Sequence, residues 1–325
     1  MRVPRERIRS INGLNLKFTM RALLIVLLWK SFDFGCNKPA NMVDVEPEFL
    51  DLASEISSNF GFVTLVYTNT AYVEMTKSFV CNILALEEDQ IDQFLFVSSS
   101  QAATDELTAF NDRLQVVTVH TNSKAANFGT FEYYSITLDR LELQNNLLQR
   151  GLNVFVVEAD ATWFSVHVFK SVILRLKEFD FVTADDNFND GDYSLVSAGF
   201  LACRSTNRTR IFFADYVADY RSKLLPLRHH RGKLSLPGEQ VHMTFRLRES
   251  NLTVSWLDVC EFSSGKWYSS AKLREKCPTP MVLQNNWIVG NKEKMKRARN
   301  WGHWFLDATC SCSTNSVWLN QAQLE

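Results

Sequence analysis

The sequence has 325 residues, of which 35 are Lys or Arg and 36 are Asp or Glu, so its formal net charge is −1. A charge this close to zero does not indicate a nucleic-acid-binding protein, which usually carries a strongly basic surface. Apolar residues make up 46% of the chain and aromatic residues 12%, which excludes a disordered polymer and predicts a large buried core. The length suits one large α/β domain or two smaller domains.

The N-terminal segment, residues 1–35, combines a basic leader with a short apolar run. ALLIVLLW at residues 22–29 lies between Arg21 and Lys30. Eight apolar residues are too few for an ordinary transmembrane helix, which needs about 20, but they fit the apolar core of a secretory signal. An uncleaved anchor over residues 18–34 is one alternative, and a buried helix in a cytosolic protein is another. We expect entry into the secretory pathway, as a single-pass type II membrane protein or as a secreted one.

Two N-glycosylation sequons and the cysteine content agree with this expectation. The sequons begin at Asn207 and Asn251. Seven cysteines leave at least one thiol unpaired, and a bridge between Cys260 and Cys277 is the favoured pairing. No CxxC pair is present, so we do not expect a zinc site.

Residues 36–60 are predicted to be a linker, and residues 61–325 a single domain in which apolar runs alternate with helical patterns. A helix is predicted over residues 131–151, where Gly151 suits a helix C-terminal cap. Continuous Val and Phe runs separated by helices predict an α/β fold, with a mainly parallel sheet covered by helices on both faces. From about residue 191 the pattern becomes less regular. The predicted strands are 61–69, 93–99, 114–120, 153–160 and 179–186.

Glu158 and Asp160 end the fourth predicted strand, NVFVVEAD. In an open parallel sheet, ligands bind beyond the carboxyl ends of the strands. Side chains two residues apart in a strand point the same way, so the two carboxylates could face one ion. Their hard oxygens suit Mg²⁺ or Mn²⁺, which often keep coordination positions for substrate phosphates. On spacing alone, a solvated loop is the more frequent explanation of such a pair.

Four segments, in order, resemble the nucleotide-diphospho-sugar transferase family, which has a GT-A type fold. The Glu-Ala-Asp triplet at 158–160, followed closely by Trp163 and Phe164, resembles the family's Asp-x-Asp motif. The other three segments are SAGFLACRSTNRTRIFF (197–213), similar to an Asn-x-Gly-Phe segment, GEQVHMTF (238–245), similar to an Asp-Gln segment, and VLQNNWIVGNKEK (282–294), similar to a closing His-x-Asn-x-x-x-Gly block. The resemblance covers about residues 62–306.

The resemblance implies transfer of a sugar from a nucleotide-diphosphate donor to a glycan or protein acceptor, in the lumen of the Golgi or endoplasmic reticulum. By analogy, Glu158 and Asp160 would ligate Mn²⁺ or Mg²⁺, which stabilises the charge growing on the leaving diphosphate. The residues assigned to the nucleotide-sugar are Asn69, Arg140, Lys292 and Lys294, and those assigned to catalysis are Asp185, Asp186 and Gln240. The alternatives are turns at Asn69, Asp185 and Asp186, and a solvated helix face for the two lysines.

Four positions depart from the family's pattern. Glu158 and Glu239 stand where the family has Asp, Ser197 stands where it has Asn, and Gln284 stands where it has His. Each change keeps a polar group, but Gln284 puts one metal ligand in doubt. A second function therefore stays open, a catalytically inactive lumenal protein that keeps the fold and recognises a glycan or a partner.

Overall fold

The computed structural model describes residues 47–119, 126–186 and 195–313. The predicted N-terminal segment, and the part of the predicted linker before residue 47, lie outside these residues. Within the three described ranges, no helix combines the length and the apolar character needed to cross a membrane.

Helices and strands alternate through the first half of the described chain, as the apolar runs predict. The helices are α1 (Pro47–Phe60), α2 (Val73–Leu86), α3 (Gln101–Phe110), α4 (Phe131–Gln149), α5 (Val168–Leu176), α6 (Asn207–Leu224), α7 (Glu239–Arg248), α8 (Lys266–Ser269), α9 (Ala271–Lys276) and α10 (Asn291–Asn300). The strands are β1 (Val63–Thr68), β2 (Phe94–Ser98), β3 (Gln115–Thr118), β4 (Val154–Val157), β5 (Ala161–Trp163), β6 (Phe181–Asp185), β7 (Val196–Cys203), β8 (Val254–Trp256), β9 (Phe262–Ser263) and β10 (Val282–Gln284).

The predicted linker is wrong over its last part. Residues Pro47–Phe60 form α1, whose Phe49, Ala53 and Ile56 are buried in the core. These side chains recur at intervals of four and three residues, so they lie on one helical face and can pack against the sheet. The folded domain therefore begins by residue 47 rather than at residue 61.

Seven strands form the main sheet, in the order β3-β2-β1-β4-β7-β6-β8. The pairs of β1 with β2 and β4, of β2 with β3, and of β6 with β8 are parallel. β7 lies antiparallel between β4 and β6, so β6 again runs in the direction of β4. A second sheet has the order β5-β10-β9. The mainly parallel sheet is confirmed.

Each face of the main sheet carries its own apolar core. In β4, Val154 and Val156 point into one core, while Phe155 and Val157 point into the other. Helices α1, α4, α6 and α7 cover the first face, and α2, α3 and α5 cover the second together with the small sheet. Strands buried on both faces carry apolar side chains at most positions, which explains the nearly continuous Val and Phe runs.

The predicted helix and its terminator agree closely with the structure. α4 ends at Gln149, and Gly151 follows with a φ of 86°, a left-handed conformation that glycine adopts without steric cost. After residue 191, β7 is an eight-residue strand that is buried throughout, and α6 has 18 residues. The regular fold thus continues well beyond the point where the sequence pattern weakens.

Two disulfides cross-link the described chain, one of them locally and the other between distant segments. The favoured bridge between Cys260 and Cys277 is confirmed. A second bridge joins Cys81 of α2 to Cys312, near the end of the described residues. The segment after α10 is therefore fastened to the second face of the sheet, where Phe305 and Leu306 pack beside Cys81.

Candidate functional site

The polar residues predicted to form a site meet at the carboxyl edge of the sheet. Glu158 and Asp160 follow β4, Asp185 is the last residue of β6, and Asn69 follows β1. These three strands run in the same direction, so their carboxyl ends lie along one edge. The loop after β10 and the first turns of α10 approach the same edge, as the following contacts show.

Asp160 is buried and paired with a lysine from α10. The Nζ atom of Lys294 donates to Oδ2 of Asp160 at 2.5 Å, while the other oxygen, Oδ1, is buried without a hydrogen-bond partner in the described part of the chain. Burial alone would lower the pKa of Lys294, but the carboxylates of Asp160 and Glu158 outweigh it and raise that pKa. Both carboxylates therefore act on one ammonium group, but from the turn that follows β4 rather than from the extended strand predicted over residues 153–160.

Glu158 lies between a buried arginine and a glycine. Nη1 of Arg140 is 3.6 Å from Oε1 of Glu158, and the guanidinium of Arg140 stacks on the ring of Tyr67 with its carbon 4.9 Å from the centroid. A Cβ atom at Gly199 would lie 2.6 Å from Cδ of Glu158, so only glycine leaves room for this carboxylate. Two residues predicted for the site, Arg140 and Glu158, therefore contact each other.

Glu239 is a site residue that the sequence interpretation did not assign. It is the first residue of α7, 9% of its surface is exposed, and burial raises its pKa, opposed by Arg140. Burial lowers the pKa of Arg140, but Glu158 and then Glu239 outweigh it and raise that pKa. One guanidinium therefore lies close to two carboxylates. The signal in the sequence was the acidic residue directly before Gln240.

Asp186 accepts hydrogen bonds from three side chains. Nε2 of Gln240 donates to its Oδ2 at 2.8 Å, while Nδ2 of Asn286 at 2.9 Å and Nε1 of Trp287 at 2.8 Å donate to its Oδ1. Burial raises the pKa of Asp186 to about 6, and these bonds hold it below what burial alone would give. Asp185, buried beside it, pairs with Val196 in the sheet. Both aspartates are buried rather than part of a solvated turn.

Two of the departures from the family's pattern contact each other. Oγ of Ser197 donates to Oε1 of Gln284 at 3.1 Å, and Nδ2 of Asn286 donates to the same oxygen at 3.0 Å. The backbone N–H of Gly265 donates to Oδ1 of Asn286, which fixes Nδ2 as the donating atom. Both lone pairs of the Gln284 oxygen are then in use, so this side chain does not supply the cation ligand that a histidine would.

A divalent cation would therefore depend on Glu158 and Asp160. No group of three or more His, Cys, Asp or Glu side chains suited to a metal exists within residues 47–119, 126–186 and 195–313. Mg²⁺ typically binds through one or two carboxylates together with substrate phosphates and water. The orphaned, buried Oδ1 of Asp160 is an acceptor that a cation would satisfy. The pair fits a cation that takes its remaining ligands from a bound diphosphate.

The other predicted residues differ in their placement. Oδ1 of Asn69 accepts from the backbone N–H of Ala71 at 2.9 Å, so this side chain shapes the turn after β1. Lys292 is exposed on α10 and forms no ion pair with another described residue. His303, which is not one of the predicted site residues, forms a 2.8 Å hydrogen bond with Tyr268 through Nδ1, and burial lowers its pKa to about 4. Asn69 and Lys292 remain predictions as binding residues.

The sequence profile of the nucleotide-diphospho-sugar transferase family matches residues 90–298. A curated relative, the UDP-galactose:fucoside alpha-3-galactosyltransferase of Dictyostelium discoideum, is 22% identical over 199 residues. That match covers 57% of this chain and 30% of the relative, so the chain spans less than a third of that protein's length.

Two solved glycosyltransferase structures are similar to this chain at low sequence identity. The apo structure of the bifunctional glycosyltransferase WbbM is 11% identical with a TM-score of 0.50, covering 97% of this chain and 62% of that one. The glycosyltransferase GlyE of Streptococcus pneumoniae is 14% identical with a TM-score of 0.45, covering 80% and 62%. The predicted GT-A-like α/β fold is confirmed.

Proposed function

This chain belongs to the nucleotide-diphospho-sugar transferase family, and we propose that it transfers a sugar from a nucleotide diphosphate to a glycan. The observation that carries the proposal is the ion pair between Lys294 and the buried Asp160, beside Glu158 and Arg140, at the carboxyl edge of the sheet. The two cationic side chains, Lys294 and Arg140, suit the negative charge of a diphosphate. The two carboxylates, Glu158 and Asp160, suit the metal ion that accompanies it. The relative's name makes UDP-galactose and a fucoside the first substrates to test.

In the proposed reaction, the bond between C1 of the sugar and the diphosphate oxygen breaks, and a bond forms between C1 and an acceptor hydroxyl oxygen. The diphosphate leaves with the electron pair, and the hydroxyl proton passes to a carboxylate on the acceptor side. Glu158 and Asp160 would hold Mn²⁺ or Mg²⁺, which when bound stabilises negative charge on the diphosphate. Lys294 and Arg140 add fixed positive charge at the same end of the site.

Asp185 and Asp186 are the candidates for the proton-accepting group. Both lie at the end of β6, two strands away from β4 on the side opposite β1. The pKa of Asp186, raised to about 6 by burial, is close to the operating range of a general base. Gln240 holds that carboxylate in place, because its Nε2 donates to Asp186 and its Oε1 accepts from the backbone N–H of Ala198 at 3.2 Å.

We also propose that the chain works in the lumen of the secretory pathway. Two disulfides support an oxidising compartment. Asn207 and Asn251 are both exposed, so a transferase could reach either sequon. Chain produced in secretory cells should lose mass on treatment with an N-glycosidase, and substitution of both asparagines by glutamine should remove the loss. An unchanged mass of the original chain would contradict a lumenal location.

The test of the proposed activity is transfer itself. The purified chain is incubated with Mn²⁺ and UDP-galactose, UDP-xylose, UDP-glucose or GDP-mannose together with methyl α-fucoside, and the products are read by mass spectrometry. Lys294→Met should lower kcat/KM by about 100-fold, which is the scale for one donor to the transition-state charge. Lys296→Met is the matched control, because Lys296 is exposed on the same helix. Equal effects of the two substitutions would contradict the role of Lys294.

A catalytically inactive binding protein remains the second candidate. The observation in its favour is the Gln284 side chain, whose oxygen is occupied by Ser197 and Asn286 and is not available to a cation. Such a protein would keep the acceptor side of the site while failing to turn over any sugar nucleotide. Binding of a methyl glycoside without nucleotide binding would favour it.

A further inference from the structure

Trp287 has a backbone conformation that a bulky residue seldom adopts. Its φ is 59°, and among non-glycine residues of the described ranges it shares a positive φ with Cys310 alone. The left-handed region is unfavourable for large side chains, and such strain persists where the surrounding structure fixes it. Trp287 follows β10 in the loop that leads to α10, at the carboxyl edge of the main sheet.

The residue before it, Asn286, is held from both sides. The N–H of Gly265 donates to its side-chain oxygen at 2.5 Å, and Nη2 of Arg297 donates to its carbonyl oxygen at 2.5 Å. A Cβ atom at Gly265 would lie 1.9 Å from that carbonyl oxygen, which backbone atoms cannot tolerate. A glycine at position 265 is therefore required for the loop to pass here, and Trp287 directly follows the residue that is fixed in this way.

The indole itself is also fixed. Its Nε1–H donates to Oδ1 of Asp186 at 2.8 Å, and Nζ of Lys266 lies 4.7 Å from the ring centroid. Trp287 nevertheless keeps 37% of its surface exposed, whereas Trp163 in the core has none. A large apolar surface that is rigid and still open to solvent is what a binding platform needs, because little rotamer freedom is lost when a ligand packs against it.

We propose that Trp287 is the platform on which a sugar ring of the acceptor glycan packs, a proposal that rests on the proposed function. Asp186 directly follows β6, which lies on the side of β4 opposite to β1, so the ring lies away from the turn where nucleotide contacts are predicted. A pyranose has an apolar C–H face and a rim of hydroxyl groups. The indole suits that face, while the carboxylates of Asp185 and Asp186 and the ammonium of Lys266 are suited to the hydroxyls.

The test measures glycan and nucleotide binding separately. Glycan binding to the purified chain is measured by saturation-transfer NMR in the presence of UDP and Mn²⁺. The ligands are the methyl glycosides of fucose, galactose, xylose, glucose and mannose. Trp287→Ala should lower the affinity for the tightest-binding glycoside by about tenfold or more. Trp287→Phe should change that affinity by less than about threefold, since an aromatic ring is retained. The UDP dissociation constant should change by less than about twofold in both variants.

Trp301→Ala is the control, because that tryptophan is exposed to a similar extent, 39%, at the end of α10. Glycoside affinity that is unchanged in Trp287→Ala overturns the proposal, and so does a wild-type chain that binds UDP but none of the glycosides. An equal loss of UDP affinity in Trp287→Ala also overturns it, since the ring would then contact the nucleotide. A wild-type chain that fails to bind any nucleotide overturns the proposed function instead.

Discussion

Adding one methyl group at Gly199 should disturb the site without unfolding the protein. The new Cβ would lie 2.6 Å from Cδ and 2.7 Å from Oε2 of Glu158, whereas carbon atoms in contact sit about 3.5 Å apart. The carboxylate would therefore move by about 1 Å. It can do so at low cost, because it ends a flexible side chain that is 37% exposed.

The expected effect of Gly199→Ala on catalysis is large and its effect on stability small. A displacement of about 1 Å in a catalytic group can lower kcat/KM by about 100-fold. The unfolding free energy should fall by less than about 1 kcal/mol, or a few degrees in Tm, since no backbone atom is displaced. The two are measured by the rate of transfer from the active sugar nucleotide and by thermal unfolding.

Gly238→Ala is the matched control, because a Cβ there meets no atom within 4 Å and the φ of −59° is ordinary. It should keep kcat/KM within about threefold, with at most about 1 kcal/mol lost at the start of α7. Full activity in Gly199→Ala would show that catalysis does not depend on the present position of Glu158. A loss of Tm above about 10 °C would show instead that the methyl group strains the fold.

Three further predictions concern stability. Asp139→Asn should raise the free energy of unfolding at pH 8 by about 4 kcal/mol and leave it nearly unchanged near pH 4, because burial and then Glu142 raise the pKa of Asp139 to about 7. The protonated form of Asp139 gives its full contribution to stability below about pH 4, and this contribution is lost as the pH rises through 7. Chemical denaturation at pH 4 and pH 8 measures the difference. Arg221→Leu should cost about 3 kcal/mol by leaving the carboxylate of Glu142 buried and unpaired, and Arg221→Leu with Glu142→Leu should recover most of it in the same assay. Cys312→Ser should lower the unfolding free energy by about 2–4 kcal/mol, since the bridge to α2 closes a loop of 231 residues.

Each of these predictions has an outcome that contradicts it. For Asp139, the same gain at both pH values would show that the effect is not linked to ionisation, and Glu132→Gln, on an exposed acid of the same helix, is the control. A double variant of Arg221 and Glu142 no better than the single one would show that the pair matters through packing. A Cys312→Ser chain with unchanged Tm under oxidising conditions would show that the bridge does not hold the native state together.

The part of the fold that sequence patterns predicted is the part set by local rules. β1, β2, β4 and β6 are buried on both faces, and their continuous apolar runs follow from that burial. The position of Glu158 and Asp160 at the carboxyl end of β4 also followed from the sequence, but the alternation of side chains along a strand does not apply to them, because β4 ends at Val157 and residues 159–160 form a turn. The predicted linker includes α1, although Phe49 and Ile56 have the spacing of a helix, because the segment before α1 is polar.

The rest of the site depends on contacts between distant residues. Trp287 donates to Asp186 across 101 positions, and Lys294 donates to Asp160 across 134. No pattern within a strand or helix specifies such partners. Gly265 is another example. Only glycine fits at this position because the carbonyl group of Asn286, in another loop, occupies the space that a side chain would need.

We propose that Asp160 and Lys294 form a site for the diphosphate of a sugar nucleotide and its cation. Calorimetric titration of UDP into the purified chain, with and without Mn²⁺, tests it most directly when repeated on Asp160→Asn. We expect Mn²⁺ to strengthen UDP binding by about tenfold or more in the wild-type chain, and Asp160→Asn to lose most of that gain. UDP binding of equal strength in both proteins, or no binding of UDP or GDP by the folded wild-type chain, would contradict it.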